Sequence, residues 1–213
     1  MELKYHTYSL SSITGLIAVV VFSVFTFISL ALYPVPYNPL YDWVSNLGNI
    51  NLNPMGSYFF NGGCIITGLF LIVFFGGLFT WNPNKTLGRI LLILGMVLGI
   101  TASISLIMVG VYPETDIQQH LIAAASVFIL LFIIIIFLNL ALFNNPKFMR
   151  GVAYFGFLVI IIDLSFQYLL LVYRNILINF NPTLPVPGLE WAAVLTSLAW
   201  VGILALNMMI KRI

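Results

Sequence analysis

Six long stretches of the chain are almost wholly apolar, and short clusters rich in Pro, Asn and charge break them apart. A helix crossing a bilayer needs about 20 such residues, so each stretch predicts one spanning helix. The expected spans are residues 12–33, 58–81, 87–112, 119–143, 151–173 and 189–210. Pro34, Pro36 and Pro39 close the first, Trp81-Asn82-Pro83 the second, Tyr112-Pro113 the third and Asn144-Asn145-Pro146 the fourth. A transmembrane strand would alternate over about ten residues. Residues 129–138 are apolar without alternation, so helices are expected throughout.

Composition sharpens this reading. The hydrophobic class is 62% of the chain and charged residues only 7%, with a mean hydropathy of +1.10. A soluble domain carries about a quarter charged residues. A soluble globule, a disordered chain, a coiled coil and a nucleic-acid binder are thereby excluded. Cys64 is the single cysteine, so no intramolecular disulfide or Cys-rich metal site can form. The fold class is an all-α membrane protein, a bundle of six transmembrane helices forming one transmembrane domain over residues 1–213.

Charge placement predicts orientation. Lys4, Lys85, Arg89, Lys147, Arg150, Lys211 and Arg212 flank the N-terminus, the second and fourth connections and the C-terminus; only Arg174 lies on the opposite side. The positive-inside rule then puts both termini in the cytoplasm. The first apolar stretch is about twice the core of a signal peptide and lacks a small-residue cleavage site, so it is expected to stay as a helix. Asp42, Glu114, Asp116 and Glu190 all fall on the outer side. Acidic residues contribute little to topology, so their skew calls for either a shared polar site or simple filling of the side the basic residues avoid.

The longest outer connection, residues 34–57, runs from Pro34 to Ser57 with almost no charge and holds Trp43, Leu47, Leu52 and Met55. It is expected to fold over the bundle as a cap, with a short helix over 40–47. The last outer connection, residues 179–188, carries Pro182, Pro185 and Pro187 and is expected to be semi-rigid.

Polar residues on that side supply the candidate chemistry. In Asp42-Trp43-Val44-Ser45-Asn46-Leu47-Gly48, Ser and Asn suit local backbone capping as well as ligand contact. Asn61-Gly62-Gly63, with Gly68, permits close helix approach and offers Asn61 as a loop anchor. Thr115-x-x-Gln118 matches a capping box, and Glu114 and Asp116 suit a helix N-terminus. His120 follows just inside the fourth span. Glu114, Asp42 and His120 are the acid/base candidates, with His120 as base and either carboxylate orienting it. Imidazole and carboxylate also suit zinc or manganese, but the spacing matches no metal motif, so no metal and no cofactor is assigned. No G-x-S-x-G, H-E-x-x-H, P-loop or dinucleotide fingerprint occurs. Whether the protein is an enzyme stays open.

Asp163 stands near the middle of the fifth span, with Gln167 one turn away on the same face and Arg174 roughly two turns further. An aspartate at that depth costs about 2.5–3.5 kcal/mol on insertion scales and must face protein or water. Either it bonds Thr101, Ser103 or Ser105 of another helix, or it serves function.

These same residues carry a resemblance. Asp42…Ser45-Asn46-Leu47-Gly48, Asn61-Gly62-Gly63 with Gly68, and Gly110-Val111-Tyr112-Pro113-Glu114 with His120 make the chain similar to the domain of unknown function 998 family, uncharacterised prokaryotic membrane proteins. The likeness covers nearly the whole chain; Tyr112 stands where the family usually has phenylalanine. It implies a six-helix fold, a polar outer site and location in a prokaryotic plasma membrane, and no known activity. A looser likeness to eukaryotic six-helix lipid-remodelling and autophagy-modulator proteins is analogy only.

The expected function is binding of a lipid headgroup or amphiphile in an outward-facing polar cavity. Asp42, Ser45, Asn46, Asn61, Glu114, His120 and Glu190 form its expected wall, with Asp163 and Gln167 below. The alternatives are an accessory subunit of a larger membrane complex and a membrane-embedded lipid hydrolase or transferase. The expected partners are membrane lipids and, under the accessory reading, other membrane subunits, with no nucleic acid.

Overall fold

The structure, a computed structural model, describes residues 9–176 and 186–213; the side chains of 173–176 lie outside the description. Among the described residues there are six helices long and apolar enough to cross a membrane, and no strand. They are α1 (Leu10–Ala31), α2 (Gly56–Gly76), α3 (Thr86–Val111), α4 (Ile117–Leu142), α5 (Arg150–Ile176) and α6 (Val186–Lys211). The chain is a multi-pass integral membrane protein.

Two boundaries differ from expectation for local reasons. The second span leaves α geometry at Gly76 and finishes as a 3-10 turn, Gly77–Trp81. The Gly77 N–H is shared among the carbonyls of Val73, Phe74 and Phe75, which tightens the last turn. Asn82, with φ 35°, then ends it in the left-handed region that Asn tolerates. The sixth helix starts at Val186, before its expected start, with Pro187 inside. Proline fits a first helical turn because the N–H it lacks would have no partner there. The rest of the expected semi-rigid 179–188 connection, through residue 185, lies outside the described residues.

Each helix packs on its neighbours in the chain, and α6 returns against α1 to close a ring. The α1–α2, α2–α3 and α3–α4 contacts are the most extensive; α5 is held most thinly on its α4 side. Small residues set the close approaches, as is common when lipid removes any hydrophobic drive between helices. A Cβ on Gly68 would sit 2.7 Å from the Ser103 carbonyl oxygen of α3, and one on Gly63 2.5 Å from Phe25 Cβ of α1. A Cβ on Gly62 would meet only Phe25 Cε1, at an ordinary contact distance of 4.0 Å.

The core divides by depth. Phe74, Phe75, Ile134, Leu138, Trp200 and Leu204 fill the larger cluster. Phe22, Val44, Leu47, Phe60, Cys64 and Trp191 form a second, and Phe166, Val186 and Ala193 a third between α5 and α6. By chain position, Lys85, Arg89, Lys147, Arg150, Lys211 and Arg212 gather at one end of the bundle, here called the basic end. The 34–57 connection and Glu114, Asp116 and Glu190 mark the other, the capped end.

Candidate functional site

The cap is organised around a short 3-10 turn, Val44–Gly48, rather than the helix expected over 40–47. Leu47 is fully buried, so the turn is drawn into the bundle and not laid upon it. The five-residue turn needs partners for its backbone, and three helices supply them. Glu190 of α6 accepts the Val44 N–H at 2.7 Å through Oε2. Asn61 of α2 donates to the Gly48 carbonyl at 3.0 Å. Ser29 of α1 donates to the Leu47 carbonyl at 3.2 Å.

Asn53 ties the far side of the turn. Its Nδ2 lies within hydrogen-bonding distance of the Leu47 carbonyl, the Ser29 carbonyl and Ser29 Oγ, at 3.1, 3.2 and 3.0 Å. Its Oδ1 accepts the Gly56 N–H that opens α2. A Cβ on Gly56 would collide with this amide, which is why glycine stands there. From the α3–α4 connection, Glu114 accepts Asn49 Nδ2 at 2.9 Å and Ser45 Oγ at 3.4 Å. On the α6 side, Tyr37 donates to the Trp43 carbonyl at 2.7 Å while Trp191 Nε1 donates to Tyr37 and to the Asp42 carbonyl. Burial, above all, raises the Tyr37 phenol above its ordinary range, reinforced by Glu190 and Asp42 against the opposing Trp191 bond. The hydroxyl therefore stays a donor at neutral pH.

Beneath this lid lies a cavity of about 110 Å³, walled by α1, α2, α3, α4 and α6 but not α5. Its walls are chiefly apolar: Phe22, Phe60, Leu71, Val109, Val127, Phe128 and Val194. Ser45 and Val44 form part of its roof, and His120 and Glu190 stand among the lining side chains. Thr67 and Ser197, both buried, also line it, and their hydroxyls have no hydrogen-bond partner among the described residues. His120 is 4% exposed, with Nδ1 2.9 Å from the Tyr112 carbonyl oxygen. An acceptor opposite Nδ1 requires a proton on it, so the neutral ring keeps an Nε2 lone pair to offer.

A family model described as "Protein of unknown function (DUF998)" matches residues 16–207. The chain belongs to this family. Neither a curated protein nor a solved structure matches it. The residues that carried the resemblance in the sequence lie, in this DUF998 member, on the lid and around it: Ser45 to Gly48 are the turn, and Asn61 and Glu114 hold it. Gly110 admits α3 against the backbone of Asn61.

Of the seven residues expected to wall a ligand site, the structure brings Ser45, His120 and Glu190 to the cavity. Asp42, Asn46, Asn61 and Glu114 do not line it. The physical reason is the same for three of them: a closer partner claims the polar group. Asp42 Oδ2 accepts the Asn38 N–H at 2.7 Å within its own loop, Asn61 holds Gly48, and Glu114 holds Asn49 and Ser45. Asn46 is half-buried in the turn, with its backbone N–H bonded to Trp43. The imidazole is oriented by a backbone carbonyl, not by Glu114 or Asp42, so the expected acid/base pairing is not formed among the described residues. No group of three His, Cys, Asp or Glu placed to hold a metal occurs among them either.

Asp163 also departs from expectation. Thr101, Ser103 and Ser105 each turn their hydroxyl to a carbonyl of their own helix, at 3.0, 2.7 and 3.1 Å. None reaches Asp163, which is fully buried with both carboxyl oxygens unpartnered among the described residues. Gln167 Nε2 is unpartnered too. Neither residue lines the cavity, so the polar stripe stays apart from the site, and the Arg174 side chain lies outside the description.

Sequence reasoning missed Asn49, Asn53, Tyr37, Thr67 and Ser197. Asn53 and Asn49 read as ordinary loop residues, and only their contacts across the fold distinguish them. The DUF998 member thus presents a chiefly apolar chamber beneath the lid, with a few polar groups at fixed places.

Proposed function

We propose that the protein binds a membrane amphiphile at the capped end, with a short hydrocarbon segment in the chamber and a polar group near His120, Glu190 and Ser45. The observation that carries this is the chamber itself. Native interiors pack to near-crystal density with few voids, yet a space of about 110 Å³ persists here beneath a turn held by many hydrogen bonds. An apolar cavity of roughly 150 Å³ admits benzene, so this one takes part of an amphiphile and leaves the rest in lipid. Unspent donors and acceptors at Thr67, Ser197 and His120 Nε2 favour a ligand with a hydroxyl, ester or similar group. The basic residues at the opposite end favour an outer-leaflet ligand by the positive-inside rule.

Native mass spectrometry of protein purified in one detergent tests the reading. Ala124→Leu should fill the chamber and His120→Ala should remove its imidazole, and both should lose an adduct that the wild type carries. His120→Ala should cost only about 1–2 kcal/mol, since one buried hydrogen bond is lost. Identical adducts in all three folded proteins would reject amphiphile binding and leave the accessory-subunit reading. Orientation is tested separately: Met55→Cys, with Cys64 replaced by Ala, should react with an impermeant thiol reagent on intact cells. Reaction only after lysis would invert the topology.

A further inference from the structure

The basic end holds a second and larger pocket, of about 730 Å³, between the α2–α3 and α4–α5 connections. Lys85 and Lys147 both line it, together with Asn82, Asn84 and Asn144. No Asp or Glu among the described residues lines the pocket. Among the described residues Asp42, Glu114, Asp116 and Glu190 belong to the capped end, and Asp163 is buried within α5. The pocket also receives the start of α3. Its N-cap residue is Lys85, no side chain caps it, and Leu87 and Gly88 of the first turn line the pocket. A helix start leaves backbone N–H groups without intrahelical partners and a partial positive charge, a ready place for an anion. Trp81, only 4% exposed, lines the same pocket with its indole N–H unpartnered among the described residues. Buried donors without a partner are rare in finished structures.

The apolar part of the lining separates a lipid from a soluble anion. Leu87 and Leu140 border the pocket at 67% and 59% exposure. On a spanning helix, exposure of that kind means contact with acyl chains. An anion held here is therefore continuous with a hydrocarbon path along α3 and α4.

We propose that this pocket binds the phosphodiester headgroup of an anionic lipid from the leaflet at the basic end. Lys85 and Lys147 neutralise the phosphate, the α3 start and the asparagine amides donate to its oxygens, and the acyl chains run over Leu87 and Leu140. The site is separate from the lid chamber and does not depend on what that chamber binds.

The test uses the full chain in a neutral detergent, with dihexanoyl phosphatidylglycerol, dihexanoyl phosphatidylcholine and inorganic phosphate as probes, read by native mass spectrometry and thermal shift. Phosphatidylglycerol should bind the wild type, and the other two should not bind at the same concentrations. Lys85→Gln/Lys147→Gln should weaken phosphatidylglycerol about 30-fold, from roughly fivefold per surface charge. Lys211→Gln, basic but outside the pocket, should leave binding unchanged. The single variants, each expected to weaken binding about fivefold, decide the matter if the double variant does not fold. Equal binding of phosphatidylcholine would remove the charge selectivity and overturn the site. Equal binding of inorganic phosphate would make it a free-anion site and overturn the lipid assignment. An equal loss in Lys211→Gln would reduce the effect to diffuse attraction and overturn it as well.

Discussion

At the capped end, Glu190, Glu114, Asn61 and Asn53 all bond to one five-residue turn or to the residues beside it. At the basic end, Lys85, Lys147 and four asparagines line a pocket of about 730 Å³, and no Asp or Glu among the described residues lines it. The first region bonds its polar groups to backbone above a small, chiefly apolar cavity; in the second, only Asn145 of the lining asparagines bonds backbone in this way among the described residues. The difference explains the acidic skew seen in the sequence. Two of the carboxylates on that side are fasteners of the lid, and a third, Asp42, closes a local turn. A polar residue in a membrane protein is thus informative only once its partner is known.

Stability measurements can break this contrast. The largest effect is expected for Asn53→Ala, which strands the Ser29 carbonyl and the Gly56 N–H inside the fold and leaves the Leu47 carbonyl only its bond from Ser29. Each unsatisfied buried group costs about 1–3 kcal/mol, so a total loss of about 3–4 kcal/mol should appear in equilibrium unfolding in mixed micelles. Glu190→Leu comes next, at about 2 kcal/mol, because the Val44 N–H loses its acceptor. Glu190→Gln keeps an acceptor oxygen there and should cost clearly less; equal costs would show that charge rather than the hydrogen bond matters. Trp191→Phe removes the donor shared by Tyr37 and Asp42 while keeping an aromatic ring, for about 1 kcal/mol. Smallest is Lys85→Gln, expected to change stability by less than about 0.5 kcal/mol, as for surface sites free of special contacts. A loss there matching Glu190→Leu would erase the distinction between the two ends.

The helices were legible because apolar runs of membrane length admit few other structures. Their ends shifted where a rule of one residue acted, as with Pro187 inside the first turn of α6 and the Gly76-Gly77 pair before the 3-10 turn. The lid was legible as an uncharged, aromatic connection that would not float in water, but its 3-10 form was not. That form depends on Glu190 reaching Val44 across 146 residues. His120, Ser45 and Glu190 were placed at the cavity by sitting at helix entrances or in the lid. Asp42, Asn61 and Glu114 were drawn into the same expected site because side-chain type does not reveal whether backbone already claims the group. Thr67 and Ser197 went unnoticed since hydroxyls within apolar helices usually bond their own turn, as Ser103 does.

Cys64 lies 1% exposed in the wall beneath the lid, and it is the one thiol in the sequence. Its alkylation by a small reagent has to wait for a local opening, so the observed rate is the open fraction multiplied by the rate of a free thiol. Every 1.4 kcal/mol taken from the fastening of the lid should quicken the reaction about tenfold. A ligand that settles in the chamber should slow it by its own occupancy. The chain therefore carries a built-in stopwatch for chamber access, readable by mass alone and without any engineered label.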